Sequence, residues 1–504
     1  MLLNNWKTYP KARLSIHDPS VIQVEETVYV FGTHLTAAKS NDLINWQVAH
    51  RTEYEAMEEN YLLGNVVENL AGSLKWAGYN DADTEGGYGL WAPDIIWNPY
   101  YRNQDGSEGA YLYFYSASST WRRSAIGFAV APKIESAFTY GDTIVYSGFT
   151  KVDATDKSER NINYRYTHLQ HLIDNGQVAS FSENWVKDAG MTYNSDYAPN
   201  AIDPSVFFDE DGLLWMVYGS WSGGIFILEL DIHTALPKYP GIDSLTSEGQ
   251  VIDRYFGKKL VGGYHQSGEG PYIIYNKEFD YYYLYMTYGE LRRDGAYNMR
   301  VFRSRRPDGP YYDMLGQQAL YQPDDRNEDY GLKLMGNYQL FEIKPGYKSP
   351  GHNSVIHFKE KDFILFHTRF DREDEQHELR VHQMLMTVEG WPVVLPFDYC
   401  GDIEQYSLSS EEVVGSYEWL NHGTLNEDEV KIPQTIYLHE NGQISGYKEG
   451  SWSRRAENSI QIHLEGTEFS CQIYLQKVIG HPKGRQVIAG IGQNMTVWGI
   501  KKDV

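Results

Sequence analysis

Residues 200–219 read NAIDPSVFFDEDGLLWMVYG, a carboxylate in a turn followed by residues that prefer strands. The Asp203-Pro204 step disfavours a helix at its start. The apolar run Leu213–Gly219 then reads as a buried strand. The same pattern recurs along the chain. His17-Asp18-Pro19-Ser20, Trp91-Ala92-Pro93-Asp94, Ile202-Asp203-Pro204-Ser205, Glu269-Gly270-Pro271-Tyr272 and Gly351-His352-Asn353-Ser354 each open a strand group. Thr27–Gly32, Ala110–Ser116, Tyr281–Tyr288 and Asp362–His367 are strands of those groups. From Asp18 through Asp94, Asp203 and Glu269 to His352 the steps are 76, 109, 66 and 83 residues. Each step holds one four-stranded sheet with loops, and the longest contains a polar insertion, Val152–Asp196. Sustained helical periodicity is scarce. The pattern predicts an all-β chain whose first part is a five-bladed β-propeller, each motif opening an innermost strand. Two packed sheets are the alternative.

Composition shifts near Asp398–Glu412, and strands such as Gln434–His439, Ser459–Leu464 and Gln486–Gly490 follow. Residues 1–400 therefore read as the propeller, and 401–504 as a small β-barrel or sandwich that packs against it.

The 504 residues carry 44 Lys and Arg against 68 Asp and Glu, a formal charge of −24. That balance argues against nucleic acid and against an anionic membrane surface as partners. No apolar run reaches the length of a membrane-spanning helix. With 13 Trp, 41 Tyr and 19 Phe, aromatic faces are plentiful for strands and for stacking on sugars. Cys400 and Cys471 form no zinc or disulfide framework. Met1 to Arg13 shows no signal-length apolar stretch, so the protein is expected in the cytoplasm if Met1 is the natural start, and secreted if a leader has been removed.

Three acids share the motif position: Asp18 and Asp203 before Pro, and Glu269 before Gly-Pro. One Asp-Pro is an ordinary turn. Three in one propeller converge on its central cavity, where burial and like charge push pKa values apart. A Gly after the acid allows close approach by another group. No Gly-rich phosphate loop or G-x-S-x-G elbow is present, so nucleophilic serine chemistry is not expected.

In order, HDPS, WAPD, NAIDPSVF, GSWSGG, EGPY and GHNSV resemble the arabinanase branch of glycoside hydrolase family 43, over about residues 14–397. The tail is similar to the extra β domain of the branch's longer members. The resemblance implies an inverting glycosidase with Asp18 as general base, Glu269 as general acid and Asp203 tuning and holding the acid. Inversion requires room for a water opposite the leaving sugar. The resemblance also places Asn200, Ala201, Ile202, Asp203, Ser220, Trp221, Ser222 and Gly127 at the substrate, with Asp18 and the stacking face of Trp91. It puts His352 on a calcium or other cation at the propeller axis, although calcium chemistry alone favours oxygen ligands. No organic cofactor is expected. The implied activity is endo-hydrolysis of α-1,5-L-arabinan or arabino-oligosaccharides. Rivals are an exo-acting arabinofuranosidase or β-xylosidase of the same family, and a carbohydrate-binding propeller without catalysis. The insertion Val152–Asp196 is a candidate for blocking one end of the cleft.

Overall fold

The computed structural model describes residues 7–8, 14–49, 54–78, 89–119 and 122–502. The N-terminal stretch read for a leader lies outside them, apart from Lys7–Thr8. The fold is all-β and propeller-like. Antiparallel sheets are built from Ser20–Ser40, Gly89–Tyr146, Ser205–Val261 and Tyr347–Val394, with short edge strands added to the first and third. A further strand group, Glu269–Asn276, Tyr281–Tyr288, Asn298–Ser304 and Leu332–Met335, does not end at its outer edge. Lys333 pairs in parallel with Met495 and so joins that group to the C-terminal domain. Strand alternation is weak here: Tyr281–Tyr288 is buried at all but its first position, as expected for a sheet covered on both faces.

The innermost strands are Ser20–Val24, Gly89–Arg102, Ser205–Phe208, Glu269–Asn276 and Tyr347–Phe358. They touch in cyclic order, the last returning to the first. At or just before the opening of each lies a residue with left-handed backbone: Asp18 (φ 52°), Ala92 (37°), Asp203 (56°), Gly270 (58°) and His352 (48°), the last strand also carrying Ser349 (51°). The repeat is therefore registered on Ala92 and Gly270, not on Asp94 and Glu269, which carry the acids of those motifs. The Pro after Asp18 and Asp203 does not leave an extended backbone behind it. The acids are held in a sparsely populated conformation that only the surrounding packing sustains.

The N–H of each kinked residue is satisfied from the strand group before it. Asp18 donates to His367 Nδ1 at 3.3 Å, Ala92 to Thr33 Oγ1 at 2.8 Å, and Asp203 to Ser116 Oγ at 3.0 Å. Gly270 donates to Asp203 Oδ2 at 3.2 Å and His352 to Thr287 Oγ1 at 2.8 Å. A buried N–H must find an acceptor, so this ring of side-chain acceptors is what permits the kinks.

The insertion Val152–Asp196 is anchored by its apolar residues. Trp185 is fully buried, packs against Phe149, Tyr255 and Phe256, and donates from Nε1 to Asp253 at 2.7 Å. The tail is a closed eight-stranded barrel, Gly415–Asn421 through Met495–Lys501, because the last strand pairs with the first. The barrel, not a sandwich, is the form taken, and its interior holds Trp419, Ile436, Ile462, Phe469 and Val497.

Candidate active site

Asp18, Asp203 and His352 are placed by the kinks, and Glu269 stands one residue before the kink at Gly270. Asp18 is buried and fully engaged. Its Oδ1 lies 2.8 Å from His17 Nδ1 and 3.1 Å from His352 Nδ1, and its Oδ2 accepts the Thr33 hydroxyl. Burial alone would raise its pKa. The charges and hydrogen bonds of His17 and His352 outweigh burial and hold the carboxyl well below the usual range. Asp18 is therefore a carboxylate at neutral pH, as a proton acceptor must be.

Behind it, His367 is fully buried, stacks on His17 with ring centroids 3.7 Å apart, and is kept neutral by burial and by the nearby His17. His367 Nδ1 takes the Asp18 N–H, which assigns its proton to Nε2.

Glu269 is held from three sides. Trp221 Nε1 donates to Oε2 at 2.9 Å, Ser220 Oγ to Oε2 at 3.0 Å, and Tyr297 Oη to Oε1 at 2.6 Å. Ser220 and Trp221 come from the turn after Leu214–Tyr218, on the sheet before the acid. Trp221 sits there with φ 47°, and its N–H donates to Gly268 O at 2.9 Å. These two residues, expected at the substrate, have their polar atoms on Glu269. Tyr297 had no motif to mark it, since its role depends on the sheet that brings residue 297 back beside residue 269.

Asp203 links the groups. Burial first, then the charges of Glu269 and Asp18, push its pKa up to about 7, with His352 opposing. Its Oδ2 takes the N–H next to Glu269. For His352, burial works against charge, yet Asp18, Asp203 and Glu269 prevail and push it up to about 9. Gly270 is needed at its position: a Cβ there would lie 2.9–3.1 Å from the His352 ring, on a backbone with φ +58°.

Among the remaining expected residues, Trp91 is half-buried on the second innermost strand, with part of its surface open. Asn200, Ala201 and Ile202 are buried. Ser147 Oγ accepts the Ala201 N–H at 2.9 Å and donates to Asn200 Oδ1 at 3.3 Å, so this segment fixes the Asp203 turn. Ser222 is fully buried, its hydroxyl without a hydrogen-bond partner. Gly127 lies on the third strand of its sheet, where a Cβ would meet the Tyr115 ring and Ser73. Among the described residues, neither Ser222 nor Gly127 hydrogen-bonds to the three carboxylates.

Three ligand-type atoms gather within 4.8 Å at His17, Asp18 and His367. His352 adds a nitrogen on the same carboxylate oxygen. With Nδ1 turned to Asp18, its Nε2 is the nitrogen left for a cation, and three carboxylates surround it with negative charge. The residues fit a cation to that extent.

Known proteins share this chain's sequence and fold. Residues 144–392 match the family model for glycosyl hydrolases family 43, and residues 396–499 match a C-terminal lipocalin-like domain. An extracellular endo-α-(1→5)-L-arabinanase from Thermotoga petrophila is 38% identical, over 96% of this chain and 93% of its own length. Extracellular endo-α-(1→5)-L-arabinanase 2 from Bacillus subtilis is 37% identical, over 91% of this chain and 86% of its own. The crystal structure of endo-1,5-α-L-arabinanase from Thermotoga petrophila superposes with a TM-score of 0.79 and 37% identity, covering 98% of this chain and 100% of that one.

Proposed function

The chain belongs to glycosyl hydrolase family 43, and on that premise we propose that it cleaves α-1,5-L-arabinofuranosidic linkages within arabinan chains, with inversion. The observation that carries the reading is the site itself: one carboxylate held ionised by two imidazoles, beside a second carboxyl held by three donors.

Asp18 is the general base. It takes a proton from a water, whose oxygen bonds to the anomeric carbon. The bond from that carbon to the leaving oxygen breaks, and Glu269 delivers its proton there. Asp203 holds the backbone beside the acid by accepting the Gly270 N–H. Trp91 offers a face for the furanose ring. Asn200, Ala201, Ile202 and Ser220–Ser222 shape the wall behind it, with Gly127 among the expected contacts.

His352 Nε2 is the proposed ligand of a calcium or similar cation, with Asp18 orienting its ring through Nδ1. A bound cation would supply positive charge among the three carboxylates. Such a cation would displace the Nε2 proton, so its affinity would rise with pH up to about 9. Thermal melting with added calcium at pH 6 and pH 8.5 tests it, and an equal or absent shift at both refutes it.

We read the propeller as five-bladed, with the strand group Glu269–Met335 as the fourth blade, and place the domain division at 400/401, before the first barrel strand. The relatives are extracellular enzymes by name, which supports work on arabinan outside the cell in preference to the cytoplasmic placement expected from the N-terminus. Among the described residues no helix is long and apolar enough to cross a membrane.

A timed product profile on linear debranched arabinan tests the function. Endo action gives an early ladder of oligomers. One small product from the outset means exo action, and no cleavage refutes the assignment.

A further inference from the structure

The barrel was expected to do no more than pack against the propeller, but its first loop bonds to residues next to those that hold the acid. Residues His422–Asp428 follow the first barrel strand and lie against the fourth strand group. Lys333, nearly fully buried, donates from Nζ to His422 O at 3.1 Å and to Leu425 O at 2.6 Å. Asn337 Nδ2 donates to Glu427 O at 3.3 Å and to Asp428 O at 2.9 Å. Arg300 is fully buried, with no ion pair to a carboxylate among the described residues, and its guanidinium is satisfied partly by Thr424 O and by Asn426 Oδ1 at 3.1 Å. Two buried basic side chains of the propeller thus depend on carbonyls of the barrel loop, a cost that removal of the loop would leave uncompensated.

Asn426 is the residue through which this contact points at the site. Every polar group of its side chain is used. Oδ1 accepts from Asn298 Nδ2 at 2.9 Å as well as from Arg300, and Nδ2 donates to Asn327 Oδ1 at 3.0 Å. Asn298 directly follows Tyr297, whose hydroxyl holds Glu269 Oε1. Asn327 in turn donates from Nδ2 to Ser267 O and Ser267 Oγ, each at 2.7 Å, two residues before Glu269. Ser267 Oγ also accepts the N–H of Gly289, at the end of the strand paired with the acid's own. One amide therefore ties both flanks of Glu269: the strand that carries its hydroxyl partner and the segment that leads into it.

We propose that the C-terminal barrel is a working part of the active site, and that Asn426 is a positioning residue for the general acid. The inference rests on Glu269 being that acid. An amide can serve all three partners at once because it has a carbonyl with two lone pairs and two N–H donors. Loss of it removes one hydrogen bond from Asn298, next to Tyr297, and one from Asn327, which holds Ser267, and a carboxyl displaced by about 1 Å loses much of its ability to protonate a leaving oxygen.

The test separates proton delivery from everything else by the leaving group. An arabino-oligosaccharide leaves as a sugar alkoxide and needs the acid's proton, whereas a 4-nitrophenyl arabinotrioside leaves as nitrophenolate and does not. kcat is measured on both for the full-length wild type, Asn426→Ala and Glu269→Gln. We expect Asn426→Ala to lose roughly tenfold or more on the oligosaccharide, with little change on the nitrophenyl substrate. Equal loss on both, or loss on neither, overturns the proposal. Should Asn426→Ala fail to fold, Asn426→Asp is read the same way: it keeps the acceptor for Asn298 and Arg300 and removes the donor to Asn327. If Glu269→Gln discriminates between the substrates and the Asn426 variants do not, the barrel inference alone fails. If Glu269→Gln does not discriminate, the assignment of the acid fails and the inference falls with it.

Discussion

Trp221 Nε1 donates to Glu269 Oε2 over 2.9 Å, from a sheet adjoining the one that carries the acid. The two hydroxyls on Glu269, from Ser220 and Tyr297, can turn and accept, whereas an indole N–H can only donate. Trp221 is thus the fixed point that orients the carboxyl.

Trp221→Phe keeps a ring and loses that donor. Without it, Glu269 has one restraint fewer on Oε2, and a hydrogen bond to a carboxyl is worth about 1.5–3 kcal/mol. We expect kcat on arabinan to fall by about tenfold, with the melting temperature little changed. An unaltered kcat would show that Ser220 and Tyr297 suffice.

Asp203→Asn removes a buried carboxyl, pushed up to about 7 by burial first, beside the acid. Ionisation of that carboxyl changes the charge around the reacting groups near pH 7, and the variant has no such step. The inflection near pH 7 in the kcat/KM profile is expected to vanish. An inflection that persists in the variant contradicts the role.

Asp94 ties two inner strands together, accepting the Ser20 hydroxyl and the Val206 N–H. Burial first, against these hydrogen bonds, raises its pKa from 3.8 to about 6. A raised carboxyl binds its proton more tightly in the folded state. Stability is therefore lost as pH rises from about 4 to about 6, by about 3 kcal/mol in all, and stays lost above that. Asp94→Asn can satisfy both partners by donating to Ser20 and accepting from Val206. We expect its melting temperature, relative to wild type, to improve between pH 4 and pH 7. A difference independent of pH counts against the shift.

Gly270→Ala puts a methyl 2.9–3.1 Å from the His352 ring, on a backbone with φ +58°. Strain of about 1–3 kcal/mol follows, and His352 is driven from Asp18. Reduced stability together with at least tenfold lower kcat is expected. Full activity would mean that His352 need not stay where it is.

Several features were legible because they rest on local chemistry. Strands such as Thr27–Gly32 and Tyr281–Tyr288 follow from residue type and turn punctuation. The barrel strand Ser459–Leu464 falls within its expected bounds for the same reason. Asp18, Asp203 and Glu269 were identifiable as a set because the turn before each strand group repeats. The register of that repeat was not legible, since Pro-Asp and Glu-Gly-Pro look alike in sequence and only the backbone shows that Ala92 and Gly270 occupy the kink.

The sequence by itself determined the all-β class, the order of the strand groups, and which acids stand at their openings. Each of these is set by residues within a few positions of one another. Only the tertiary structure decided what surrounds those acids: His367 against Asp18, Ser116 under Asp203, Tyr297 on Glu269, and Asn426 on Asn298, the residue after Tyr297. Those partners lie on different sheets, and in the last case in a different domain. Their meeting depends on how the sheets close around the axis and where the barrel docks, and no local pattern encodes that.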